Sequence, residues 1–84
     1  MRHMKLLRLP EVLSITGLKK TTHYRLIQEG LIPPPVMAGI RSVAWPESEI
    51  KAITEARIEG RTLGEIRELV VSLVEARKSQ AVIN

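Results

Sequence analysis

The side chains best suited to chemistry lie together in Lys19-Lys20-Thr21-Thr22-His23-Tyr24-Arg25-Leu26-Ile27-Gln28. On a helix turning about 100° per residue, His23, Leu26 and Ile27 share one face. Thr21, Tyr24, Arg25 and Gln28 fall on the opposite face, with Lys20 beside them at the start and Thr22 at the edge. Such a face can read a nucleic acid: an arginine fork matches a guanine edge, a glutamine amide an adenine edge, and threonine either. Lys19 and Lys20 add attraction to phosphate. No acid interrupts the stretch before Glu29. Judged by charge alone, a solvated basic surface without a partner is the competing reading.

Catalytic and metal chemistry find little support. His3 and His23 are the only histidines, and there is no cysteine or aspartate. Gly60 and Gly64 lack the lysine and hydroxyl ending of a phosphate loop. Two histidines 20 residues apart offer no zinc spacing. The sequence therefore predicts a non-enzyme without cofactor or metal.

Charge is asymmetric along the chain. Residues 1–45 hold seven Lys or Arg against two Glu, whereas residues 46–84 hold six against seven. The basic excess lies entirely in the front half, which suits a polyanion-binding front and a neutral back. With 84 residues the chain holds one domain, stabilised by aliphatic packing because Tyr24 and Trp45 are the only aromatics. No apolar run approaches the roughly 20 residues of a membrane span, and the apolar stretch after the basic start is too short for a signal peptide. A cytoplasmic, reducing compartment is the simplest expectation, with no membrane partner.

The elements that must position the basic face can be read in order. Residues 9–17 predict a short helix with Pro10 in its first turn, Glu11 on its dipole and Gly17 as its left-handed stop. The second helix runs from about Lys20 to Glu29 and is closed by Gly30. Two short helices joined by a glycine turn form a helix-turn-helix, whose second helix can enter a major groove. Leu31-Ile32-Pro33-Pro34-Pro35 is a rigid extended connector. Two β-prone runs flank Gly39 in residues 36–45 and predict a small hairpin, with Arg41 near its tip and Trp45 closing the core.

Pro46-Glu47-Ser48-Glu49 opens a third helix, with Ile50 and Ile53 on its buried side and Gly60 at its end. Thr62-Leu63-Gly64-Glu65 is a capping-box pattern for a fourth. Its apolar stripe is Leu63, Ile66, Val70 and Leu73, widened by Leu69 and Val74, and the chain is expected to fray after Arg77. Packing on its own domain is the default for that stripe, and a homodimer seam through residues 62–77 is the alternative. The resulting division is an N-terminal extension at 1–7, a helix-turn-helix domain at 8–60 and a C-terminal helix and tail at 61–84.

Arg8-Leu9-Pro10-Glu11-Val12, Thr16-Gly17-Leu18, Thr22-His23-Tyr24-Arg25-Leu26 and Gly30-Leu31-Ile32-Pro33 resemble the AlpA family of prophage regulators. Gly39-Ile40-Arg41-Ser42-Val43-Ala44-Trp45 followed by Ser48-Glu49-Ile50 extends the likeness to about residues 8–57. The resemblance implies a mostly α fold with a small β-hairpin: a winged helix-turn-helix of MerR and excisionase type, here with an added C-terminal amphipathic helix. It also implies double-stranded DNA binding in the control of mobile-element genes, with RNA polymerase or an integrase as the protein partners such a role admits. By the same resemblance Thr21, Thr22, Tyr24 and Arg25 lie on the recognition helix, and Arg41 and Ser42 on the wing. Two positions depart from the pattern. Lys19 stands where a capping serine is usual, which costs the helix about 1 kcal/mol of cap and adds a cation. His23 stands where an apolar residue is usual, and is expected to be a partly buried, hydrogen-bonded histidine.

Overall fold

A computed structural model describes residues 5–83 of the chain, with side chains over residues 5–78. Its elements run β1 (Leu6–Leu7), α1 (Leu9–Thr16), α2 (Lys20–Gln28), β2 (Val36–Met37), β3 (Val43–Pro46), α3 (Glu47–Ile58) and α4 (Leu63–Ile83). This is the winged helix-turn-helix that the sequence predicts, mostly helical with one small antiparallel sheet.

Local sequence explains most boundaries. The Arg8 N–H donates to the Glu11 carboxylate at 3.1 Å, which closes the first turn of α1. Gly17 ends that helix with φ +75°, a backbone conformation that a Cβ would strain, and its N–H donates to the Leu13 carbonyl. At α4 the capping box forms fully. The Thr62 N–H donates to Glu65 at 2.9 Å, and the Glu65 N–H to the Thr62 hydroxyl at 3.1 Å. The backbone hydrogen bond from Thr62 holds the Glu65 carboxyl below the usual carboxylate range. Gly39, expected to shape the hairpin tip, does not adopt a positive φ, so the turn does not depend on a glycine there.

The sheet has the order β1-β3-β2, both pairs antiparallel. Val36 pairs with Ala44 and Met37 with Val43 in the hairpin, while Leu6 pairs with Pro46 and Leu7 with Trp45. The strand at Leu6–Leu7 was not legible: two leucines in a basic stretch carry no alternation, and only the exposed edge of β3 gives them a partner. The wing is therefore three-stranded, and its central strand is tied on both sides.

Two apolar clusters hold the elements together. Leu7, Val12, Trp45 and Ile50 join the sheet to α1 and α3. Leu26, Leu31, Ile32, Ile53, Ala56, Ile66 and Val70 join α2 to α3 and α4. Ile27 packs against both, so α2 lies where they meet. Each fully buried aliphatic contributes about 1.5–3 kcal/mol, which explains how a fold almost without aromatics holds.

The fourth helix departs from the expectation in two ways. Its backbone stays helical to Ile83 instead of fraying after Arg77. Leu63, expected on the apolar stripe, is exposed, because it sits in the first turn beyond the end of α3. Ile66 and Val70 are buried in the chain's own core, with Leu69, Leu73 and Val74 packed against it. Among the described residues no helix is long and apolar enough to cross a membrane.

Candidate nucleic-acid interface

The candidate surface begins with α2, a helix that could not hold alone. Nine residues with two threonines, a histidine and a tyrosine are too few and too weakly helical for independent stability. Lys19 at its N-cap makes no side-chain cap hydrogen bond, so the first-turn N–H groups stay available to an anion. What fixes the helix is its inner side: His23 and Leu26 are buried, and Ile27 is half-buried between the two clusters. Its far end is fastened by α4, where Arg67 Nε–H donates to the Glu29 carbonyl oxygen at 2.9 Å. No sequence signal marks Arg67 for this task, since the contact spans 38 residues.

The outer side carries the residues that could touch a ligand. Lys19, Lys20, Thr21, Tyr24, Arg25 and Gln28 are exposed, and Thr22 is half-buried at the edge. Arg25 lies 3.9 Å from Glu29, one helical turn on, with both side chains largely in solvent. Such a pair is worth 1 kcal/mol at most, and a phosphate or base edge can displace Glu29 from the guanidinium. On the wing Arg41 is exposed and Ser42 half-buried.

Aromatic contacts couple the helix to the wing. Tyr24 and Trp45 meet edge to face with ring centroids 6.4 Å apart, and His23 lies against both, at 5.3 Å from Tyr24 and 4.8 Å from Trp45. Trp45 is fully buried, and its indole N–H donates to the Pro33 carbonyl at 3.0 Å. One tryptophan thus fixes the wing base, the proline connector and Tyr24 of α2.

His23 corrects the expectation of a partly buried, satisfied ring. It is wholly buried, and neither ring nitrogen has a hydrogen-bond partner. Trp45 and Tyr24 stand nearly perpendicular to it, and neither gives its nitrogens a hydrogen-bond partner. Burial pushes its pKa below the ordinary value of 6.5. The folded state thus binds this proton less readily than the unfolded chain. Stability is intact above pH 6.5 and is lost as pH falls from there toward the lower folded value. Replacing His23→Leu should remove two unsatisfied polar atoms at the expense of some ring contact, for a net gain of about 1 kcal/mol at pH 7. Urea melts at pH 7 and pH 5 check this. The wild-type midpoint should drop between the two and the leucine variant's should not.

Comparison with known proteins agrees with this architecture. The family model described as "Prophage CP4-57 regulatory protein (AlpA)" matches residues 5–58, which span β1 through α3. "Uncharacterized protein ORF88" of Enterobacteria phage P4 is 45% identical over 60 residues, covering 71% of this chain and 68% of that protein. No solved structure matches the chain significantly. The match takes in the strand at Leu6–Leu7, both helices of the helix-turn-helix, the wing and the helix that buttresses them. This chain belongs to the AlpA family of prophage regulatory proteins.

Proposed function

We propose that the protein binds double-stranded DNA with sequence preference as a regulator of prophage or mobile-element genes. In this reading α2 lies in the major groove and the wing meets the backbone or the minor groove. One observation carries it above the rest: Thr21, Tyr24, Arg25 and Gln28 are exposed on the side of α2 opposite buried His23 and Leu26, with exposed Lys20 beside them at the helix start. Lys19 and Thr22 border that side, and Arg41 and Ser42 supply the wing contacts. The chemistry needed is recognition and not turnover, and the site calls for no cofactor. Such a regulator works in the cytoplasm of the host.

The domain offers few phosphate contacts, so useful affinity calls for paired sites, a second copy or a protein partner such as RNA polymerase or an integrase. A homodimer through residues 62–77 would draw on Leu63 and Val71, large apolar side chains that core packing leaves exposed on α4. An excisionase-type recombination factor would use the same helix and wing. Footprinting separates the two: protection of an attachment site assigns the excision role, and protection of a promoter the transcriptional one.

Gel-shift titration of a selected genomic fragment against random competitor tests the binding. Arg25→Ala should lose about 1–3 kcal/mol of discrimination, roughly 5- to 150-fold. Lys20→Ala should weaken binding to all sequences alike and reduce the salt slope by about 1. Equal affinity of wild type and Arg25→Ala for the selected fragment would reject this face. Failure of the wild type to prefer any duplex would favour a protein-interaction adaptor built on the same scaffold.

A further inference from the structure

We propose that the wing tip is a wedge, in which Ile40, beside Arg41, enters the minor groove of the bound duplex and unstacks a base step, bending the DNA held by α2. This rests on the DNA-binding reading above and assigns a distinct role to a residue outside α2.

The hairpin geometry isolates the tip. The last paired rung is Met37 with Val43, and the Ala38 N–H donates to the Ser42 carbonyl at 2.8 Å just beyond it. Gly39, Ile40 and Arg41 project past that closure. Ile40 is 94% exposed and Met37 65%, and neither belongs to a core cluster. A lone exposed aliphatic is ordinary on a protein surface. Here two large ones, with exposed Ala38 between them, crown a single protruding element.

Charge says what that apolar tip should meet. No carboxylate occurs between Glu29 and Glu47, so the whole wing and its connector lack acids. Arg41 is exposed, and among the described residues no carboxylate lies within 4 Å of it. An apolar protein partner would not need this cation, whereas the minor groove attracts an arginine through its concentrated negative potential. Aliphatic side chains next to cationic ones are the chemistry by which minor-groove proteins part a base step and kink the duplex. The β-branched Ile40 side chain is stiff at χ1, so it loses little freedom on insertion.

A wedge also needs a firm base. β3 is paired on one side with β1 and on the other with β2, and Trp45 within it is wholly buried. The Tyr24–Trp45 contact keeps that base beside the helix assigned to the major groove. The tip is thereby placed to meet the neighbouring groove once α2 is seated.

The test uses the full chain and a duplex of about 30 base pairs from the selected fragment, end-labelled with a fluorescence donor and acceptor. 2-Aminopurine placed at successive pyrimidine–purine steps reports unstacking. Wild-type protein should shorten the end-to-end distance and raise 2-aminopurine emission at one step. Ile40→Ser should abolish both at saturating protein and weaken binding about tenfold, while Ile40→Leu restores both. Because Ile40 makes no core contact, circular dichroism should show both variants folded as wild type. Arg25→Ala should bind more weakly yet still unstack the step once saturated. Wild-type binding without unstacking, or unchanged bending by Ile40→Ser, overturns the wedge and leaves DNA binding standing. A sedimentation change on Ile40→Ser assigns the tip to a protein contact and also overturns it. Absence of any wild-type duplex binding overturns the underlying reading and the wedge with it.

Discussion

Arg77→Ala is expected to destabilise the fold by about 3–5 kcal/mol, because it strands a buried carboxylate. Glu49 in the first turn of α3 is only 5% exposed. Arg77 of α4 grips it with two hydrogen bonds, Nε to Oε2 at 2.8 Å and Nη2 to Oε1 at 2.6 Å, and Nη2 also donates to the Pro34 carbonyl at 2.7 Å. One guanidinium thus pins α4 to α3 and to the proline connector. Without it, Glu49 would keep only the α3 dipole, worth about 0.3–1 kcal/mol, against a desolvation cost of several kcal/mol. In a domain of this size the loss corresponds to a fall in Tm of about 12–40 °C, readable by circular dichroism. Removing both charges in Glu49→Gln/Arg77→Met should recover most of that loss, since the stranded charge, more than the missing pair, sets the cost. An Arg77→Ala variant within about 1 kcal/mol of wild type would show that α4 is held without this ion pair.

The second large effect is expected at Trp45. Truncation to alanine should cost about 3–5 kcal/mol from lost packing and the cavity left behind. The buried Pro33 carbonyl would also lose its donor, a further penalty of about 1–3 kcal/mol. An 84-residue domain has only about 4–13 kcal/mol to lose, so Trp45→Ala should be largely unfolded at 37 °C. Trp45→Phe should stay folded, because a ring still fills most of the space between Tyr24 and the core. Its cost should approach that of the hydrogen bond plus a partial cavity, and urea midpoints of the two variants measure the difference. The functional consequence follows from geometry: Tyr24, exposed on α2, has its ring against Trp45. Loss of the indole therefore loosens α2 and the wing together.

Local rules explain why so much of the frame is legible in the sequence. Gly17 and Gly30 both end their helices at positive φ, and Thr62 with Glu65 makes the box that its spacing predicts. The division of α2 into an inner side at His23, Leu26 and Ile27 and an outer side at Thr21, Tyr24, Arg25 and Gln28 needs only helical periodicity, and the observed burial follows it. Trp45 as the closure of the core needs only its size. These features depend on neighbours a few residues away.

Contacts between distant residues follow no such rule. Nothing local distinguishes Arg67 from Arg61, yet α4 lays Arg67 on the end of α2 while Arg61 stays among surface glutamates. Leu6–Leu7 becomes a strand only because β3 has a free edge, and Glu49 meets Arg77 only because α3 and α4 cross there. His23 shows the limit most clearly: its inward direction follows from periodicity, but its lack of partners follows from the rings that tertiary packing sets around it. Residue type and spacing alone determined which helix turns a cationic, hydroxyl-bearing side outward. Only the folded chain decided what holds that helix in place, because those contacts join segments that the linear order keeps tens of residues apart.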